Sequence, residues 1–136
     1  MIEDTSTLRD LARRLLLHEG GDDREPARMA EAVDRACRTL HEQFAPVIGE
    51  TAFRAWVHRA LRLTLARYPL PAVDLAPGQG GCLTGLQESV DGPDSAETVE
   101  ALTFLLANFL AVFVGLIGKD LTMTFLRDAW PDVKID

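Results

Sequence analysis

Lysine, tyrosine and cysteine are scarce in this 136-residue chain, and charge is missing altogether from its longest apolar stretch. The two cysteines, Cys37 and Cys82, form neither a CxxC pair nor a ligand cluster, so a zinc site and a disulfide framework both lack their spacing. That spacing predicts two separate reduced thiols, the usual state in cytosol. The three histidines, His18, His41 and His58, show no ExxH or HExxH spacing, which removes the ligand pattern of a di-iron bundle or a zinc protease. Around Gly80 and Gly85 the glycine spacing matches a phosphate loop, but Leu86 stands where the lysine is required and no apolar strand precedes it. Cys82 in that loop has no base beside it in sequence, so it reads as a plain loop cysteine. No metal, cofactor or enzymatic activity is expected.

The opening residues, MIEDTSTLRD, lack the basic and apolar regions of a secretory signal, which predicts a cytoplasmic protein. No internal repeat or low-complexity tract is evident. The formal net charge is −7. Residues 1–70 hold eleven arginines and eleven carboxylates, whereas residues 71–136 hold three basic and ten acidic groups. Such a chain repels phosphate backbones and anionic headgroups, so nucleic-acid binding is not expected.

What the sequence does have is apolar helix. Between Glu100 and Lys119 the eighteen residues Ala101 to Gly118 carry no charge, and only Thr103 and Asn108 have polar side chains. A surface helix would keep a polar stripe, so this run is either the central helix of a bundle or a marginal membrane span. At about 1.5 Å per residue it reaches roughly 27 Å, just short of a bilayer core of about 30 Å. Its flanks lack the basic asymmetry and aromatic belts of a span, so the core reading is preferred.

Three one-faced helices precede it. The first carries Leu8, Leu11, Ala12, Leu15 and Leu16 and stops at Gly20–Gly21. In the second, Met29, Val33, Ala36, Cys37, Leu40 and Phe44 repeat at three and four, with Pro26 in its first turn and a break expected at Pro46. The third, Glu50 to Tyr68, has Phe53, Trp56, Val57, Ala60, Leu61, Thr64 and Leu65 on its core face. Residues 69–94 form an irregular connection rich in glycine and proline, within which Leu83, Leu86 and Val90 could pack down on a short helical turn. Asp94 or Ser95, with Glu97, caps the long helix, and whether it breaks at Gly115 or Gly118 is open.

The expected fold is therefore all-α: one domain over residues 1–136, a compact four- to five-helix bundle around the long apolar C-terminal helix. Three surfaces follow. Ala107, Ala111, Gly115 and Gly118 make a nearly side-chain-free ridge where another backbone can approach, which suggests a homodimer interface. Arg54, Arg59 and Arg62 form the best positive patch, suited to an acidic protein partner. Phe53, Trp56, Tyr68 and Phe109 could line a pocket for a small apolar ligand between helices. The expectation is a non-enzymatic cytoplasmic module for dimerisation or protein docking with a regulatory role. A ligand sensor is the alternative, and a membrane-associated protein the third.

Overall fold

The computed structural model describes residues 5–68, 73–75, 83–86 and 95–135. Within them five helices pack against one another as an all-α bundle. They are α1 (Thr5–His18), α2 (Pro26–Ile48), α3 (Glu50–Leu65), α4 (Ser95–Ile117) and α5 (Lys119–Ala129). A short antiparallel pair, β1 (Asp74–Leu75) and β2 (Leu83–Thr84), lies in the connection leading to α4, with Asp74 opposite Thr84. Leu83 and Leu86 are buried, as their sequence context suggested, although Leu83 packs from a strand rather than a helical turn. The phosphate-loop-like glycines up to Gly81, together with Cys82, Val90 and Asp94, lie outside the described residues.

The buried stripes of α1 and α2 are those their spacing predicts, from Leu8 to Leu16 and from Met29 to Phe44. Two expectations for α2 need correction. Its helix runs through Pro46 to Ile48, because a proline in the last turn forfeits one hydrogen bond and leaves the following turn free to close. Cys37 is disulfide-bonded, not a free thiol. Its sequence distance from the chain's other cysteine carries no information about distance in space, which is what decides pairing.

At both helix joints a single glycine with positive φ ends one helix and starts the next. Gly49 (φ 92, ψ 156) links α2 to α3, and Gly118 (φ 92, ψ 158) links α4 to α5. Gly49 N–H donates to Ala45 C=O at 2.8 Å and Gly49 C=O accepts from Phe53 N–H at 3.0 Å; Gly118 does the same with Val114 at 2.9 Å and Thr122 at 3.2 Å. A left-handed residue costs glycine nothing, and this is why both helices turn at that residue. The long apolar run therefore breaks at Gly118 and continues unbroken through Gly115.

The likeness extends beyond the joints. Helices α2 and α4 are each 23 residues long. Phe44 and Phe113 hold the same position before their glycines, and Trp56 and Phe125 the same position after them. Phe44 stacks on Phe113 with ring centroids 4.4 Å apart; Phe44 meets Phe125 at 4.8 Å, and Phe113 meets Trp56 at 5.5 Å. Exchanging α2–α3 for α4–α5 maps this set of ring contacts onto itself, so the two helix–glycine–helix units place their rings at equivalent positions around the Phe44–Phe113 stack. The equivalence is a repeat of position relative to the two glycines, not of residue identity.

Helix α4 is covered by α1, α2, α3 and α5. Residues 101–110 are all buried. Its polar pair is absorbed locally: Thr103 donates to Val99 C=O at 2.9 Å, and Asn108 Nδ2 donates to Thr64 Oγ1 at 2.9 Å, while that hydroxyl donates to Ala60 C=O. Past α5 the chain folds back over α1. Buried Trp130 donates its indole N–H to Glu19 at 2.7 Å, and Arg14 donates to Lys134 C=O at 2.6 Å.

Candidate functional site

Two surfaces stand out once the bundle is assembled. The first is a cleft of about 520 Å³ between α1, the C-terminal end of α3 and the N-terminal half of α4. Phe104 and Val99 form its apolar wall, Thr103 and Asn108 contribute polar lining, and Arg9, Arg13 and Arg67 enter from two sides. The guanidinium carbons of Arg9 and Arg67 lie 5.8 Å and 5.4 Å from the centroid of the same ring, Phe104. Arg9 also donates to Glu100 at 3.2 Å, an oxygen that accepts a second hydrogen bond from Tyr68 OH at 3.2 Å. Arg13 pairs with Asp23. Among the described residues Arg67 has no carboxylate partner.

The antiparallel packing of α3 on α4 creates this cleft. Trp56 lies against Phe113, Thr64 against Asn108 and Tyr68 against Phe104, so the end of α3 delivers Arg67 and Tyr68 to the start of α4. Sequence reasoning missed this cleft. Nothing in the sequence spacing signals that α1 brings Arg9 and Arg13 opposite Arg67.

The second surface is the end of the bundle where both glycine joints lie. Antiparallel α3 and α4 place Gly49 and Gly118 at the same end. Val47 and Leu116, equivalent positions two residues before each glycine, are 62% and 53% exposed, and Leu121 is 46% exposed. Ile48, Val114 and Ile117 are partly buried beside them. A side-chain carbon added at Gly49, Gly115 or Gly118 would meet nothing within 4 Å. At the α2–α3 corner a smaller cavity of about 420 Å³ is lined by His41, Glu42, Ala45, Pro46 and Glu50. His41 and Glu50 share a hydrogen bond there, and the His41 ring meets the Phe53 ring edge-on at 5.1 Å.

The residues singled out from sequence separate. Ala107 is buried within the chain's own core, Ala111 is half-buried, and only Gly115 and Gly118 are open, so the ridge is not one continuous surface. The reason is that α3 and α1 already cover the N-terminal part of α4. Phe53 and Phe109 are both 1% exposed and pack into the core; Trp56 is half-buried against Phe113, and Tyr68 against Phe104. Neither cleft is lined by any of these four: the space between α3 and α4 is filled by their own rings. Arg59 and Arg62 are exposed, whereas Arg54 is half-buried and engaged in an interaction. No cluster of three histidine, cysteine or carboxylate side chains suited to a metal ion occurs among the described residues. Comparison with protein-family models, with curated proteins and with solved structures finds no match to this chain.

Proposed function

We propose that this protein is a non-enzymatic helical module that dimerises through the joint end of the bundle. The observation that carries this reading is the pair Val47 and Leu116. Two large apolar side chains, at equivalent positions of the two units, are more than half exposed beside glycines that leave open space. Clustered exposed apolar groups mark association surfaces more often than scattered ones do. A second copy suits this surface because an isologous contact covers the same apolar patch on both chains at once. An isologous contact brings Val47 and Leu116 of one protomer against the same pair of its mate, and the open glycines let the backbones approach.

This differs from the extended ridge expected from sequence. Most of α4 is covered by its own chain, so the interface narrows to its last turn and to the start of α5. The same burial supports a core helix over a membrane span, although α4 contains one stretch, Ala96–Ile117, long and apolar enough to cross a bilayer. An acidic protein partner on Arg59 and Arg62 is a compatible second contact, since both are exposed and lie on α3. Cytoplasmic residence is the proposal from sequence, and the disulfide at Cys37 weighs against a reducing compartment. Alkylation of thiols in freshly lysed cells tests that point. Dimerisation is tested by sedimentation equilibrium over a wide concentration range: a mass rising to twice the chain mass of 15.0 kDa supports it, and a single 15.0 kDa species at every concentration refutes it.

A further inference from the structure

We infer that the cleft between α1, α3 and α4 binds a small organic oxyanion, a carboxylate or phosphate carried on a ring-sized apolar body. This goes beyond the dimer reading and uses a different face. Its volume of about 520 Å³ falls within the range of small-molecule sites, roughly 300 to 1,000 Å³. The chemistry comes from how charge is arranged around Phe104. Two guanidinium groups, those of Arg9 and Arg67, are held within 6 Å of one ring centroid. Only Arg9 has a carboxylate among the described residues, Glu100, and that carboxylate is more than half exposed. Like charges so placed repel one another, and an oxyanion accepting from both would relieve the repulsion while forming charge-assisted hydrogen bonds. The exposed Arg9–Glu100 pair is weak and yields to a competing anion.

The surroundings select among anions. Phe104 and Val99 offer an apolar wall that inorganic ions cannot use, and against it the apolar body of the ligand packs. Asp10, Asp23 and Glu100 also line the cleft. They repel an extended polyanion and tolerate one compact negative group, which separates this site from a nucleic-acid groove. Arg13, held by Asp23, supplies a third donor at the far side for a second polar group on the ligand.

The test is titration of the purified full chain with benzoate, phenyl phosphate and inorganic phosphate, followed by NMR of the arginine Nε–Hε signals and the Phe104 ring. Saturable shifts at Arg9, Arg67 and Phe104 with benzoate or phenyl phosphate support the site, and whichever ring compound binds more tightly identifies the headgroup. In Arg67→Gln the dissociation constant of that probe should rise roughly ten- to hundredfold, the loss of one charge-assisted hydrogen bond, with an unchanged melting temperature. Arg62→Gln should leave it unchanged. The inference is overturned by shifts that do not saturate, by equal shifts at Arg59 and Arg62, by equal affinity in Arg67→Gln, or by inorganic phosphate binding as tightly as phenyl phosphate.

Discussion

Phe44 and Phe113 stack at 4.4 Å with their ring planes 28° apart, each at the same position before the glycine that turns its helix. The stack joins the two helix–glycine–helix units, and Phe125 and Trp56 close it from either side. Truncating either ring removes a fully buried aromatic from both units at once. Phe44→Ala or Phe113→Ala should cost about 3 to 5 kcal/mol in denaturant unfolding. The double variant should cost less than the sum of the two, by about 0.5 to 1.5 kcal/mol, because the second substitution finds its partner already gone. Additive losses would mean that the rings are buried independently and that the stack couples nothing.

The joints themselves make a second test, because their demand is on backbone and not on space. With nothing within 4 Å of an added side-chain carbon, Gly49→Ala and Gly118→Ala introduce strain from the positive-φ backbone alone, about 1 to 3 kcal/mol each. Gly115 has equally open surroundings but lies inside α4, where glycine is the poorer helix former. In the monomer Gly115→Ala should therefore stabilise by about 0.5 to 1 kcal/mol, and opposite signs at Gly115 and Gly118 in thermal melts of dilute protein check the assignment.

Much of this architecture could be read in advance. The stripe from Met29 to Phe44 and the burial of Ala101 to Leu110 both follow from apolar periodicity or from its absence, which is a local property. The repeat could not be read, because Phe44 and Phe113 are equivalent only relative to their glycines, and the residues around them differ. Pro46 misled for a related reason: so close to the end of α2 it forfeits only its own bond to the carbonyl four residues back, and the helix closes two residues later. Neither candidate site was legible as such. The cleft depends on α1 meeting the end of α3, and the open end depends on which part of α4 its own chain leaves bare.

Asp34 gives a pH-dependent expectation. Burial on α2 pushes its carboxyl above the usual range, Arg38 opposes the shift, and Glu31 adds to it. A raised folded value means that the charged form is disfavoured in the fold, so stability tied to this group is fully present below the unfolded value and is lost as pH rises through the folded one. Asp34→Asn should thus be more stable than the parent at neutral pH, and the gain should vanish below about pH 4, where both are neutral. Unfolding curves at pH 7 and pH 3 check the sign. A loss at pH 7 would show that the attraction to Arg38 outweighs burial.

Asn108 is the polar group most deeply committed to the bundle, donating to Thr64 between α3 and α4. Asn108→Ala removes that donor beside the cleft, and should cost about 1 to 3 kcal/mol. Replacing both partners, as Asn108→Leu with Thr64→Val, should recover part of that loss. No recovery in the double variant would mean that Asn108 acts through a contact other than Thr64.

The dimer at the joint end is the central claim, and sedimentation equilibrium of Leu116→Glu beside Arg62→Glu tests it most directly. Both substitutions place a carboxylate on an exposed helix position, so neither should change the fold by more than about 0.5 kcal/mol. Leu116→Glu puts charge into the proposed contact on both protomers, whereas Arg62 lies away from it on the last turn of α3. The account predicts a parent and an Arg62→Glu variant that dimerise alike and a Leu116→Glu variant that stays monomeric at the same concentrations. A Leu116→Glu protein that dimerises as strongly as the parent would contradict it.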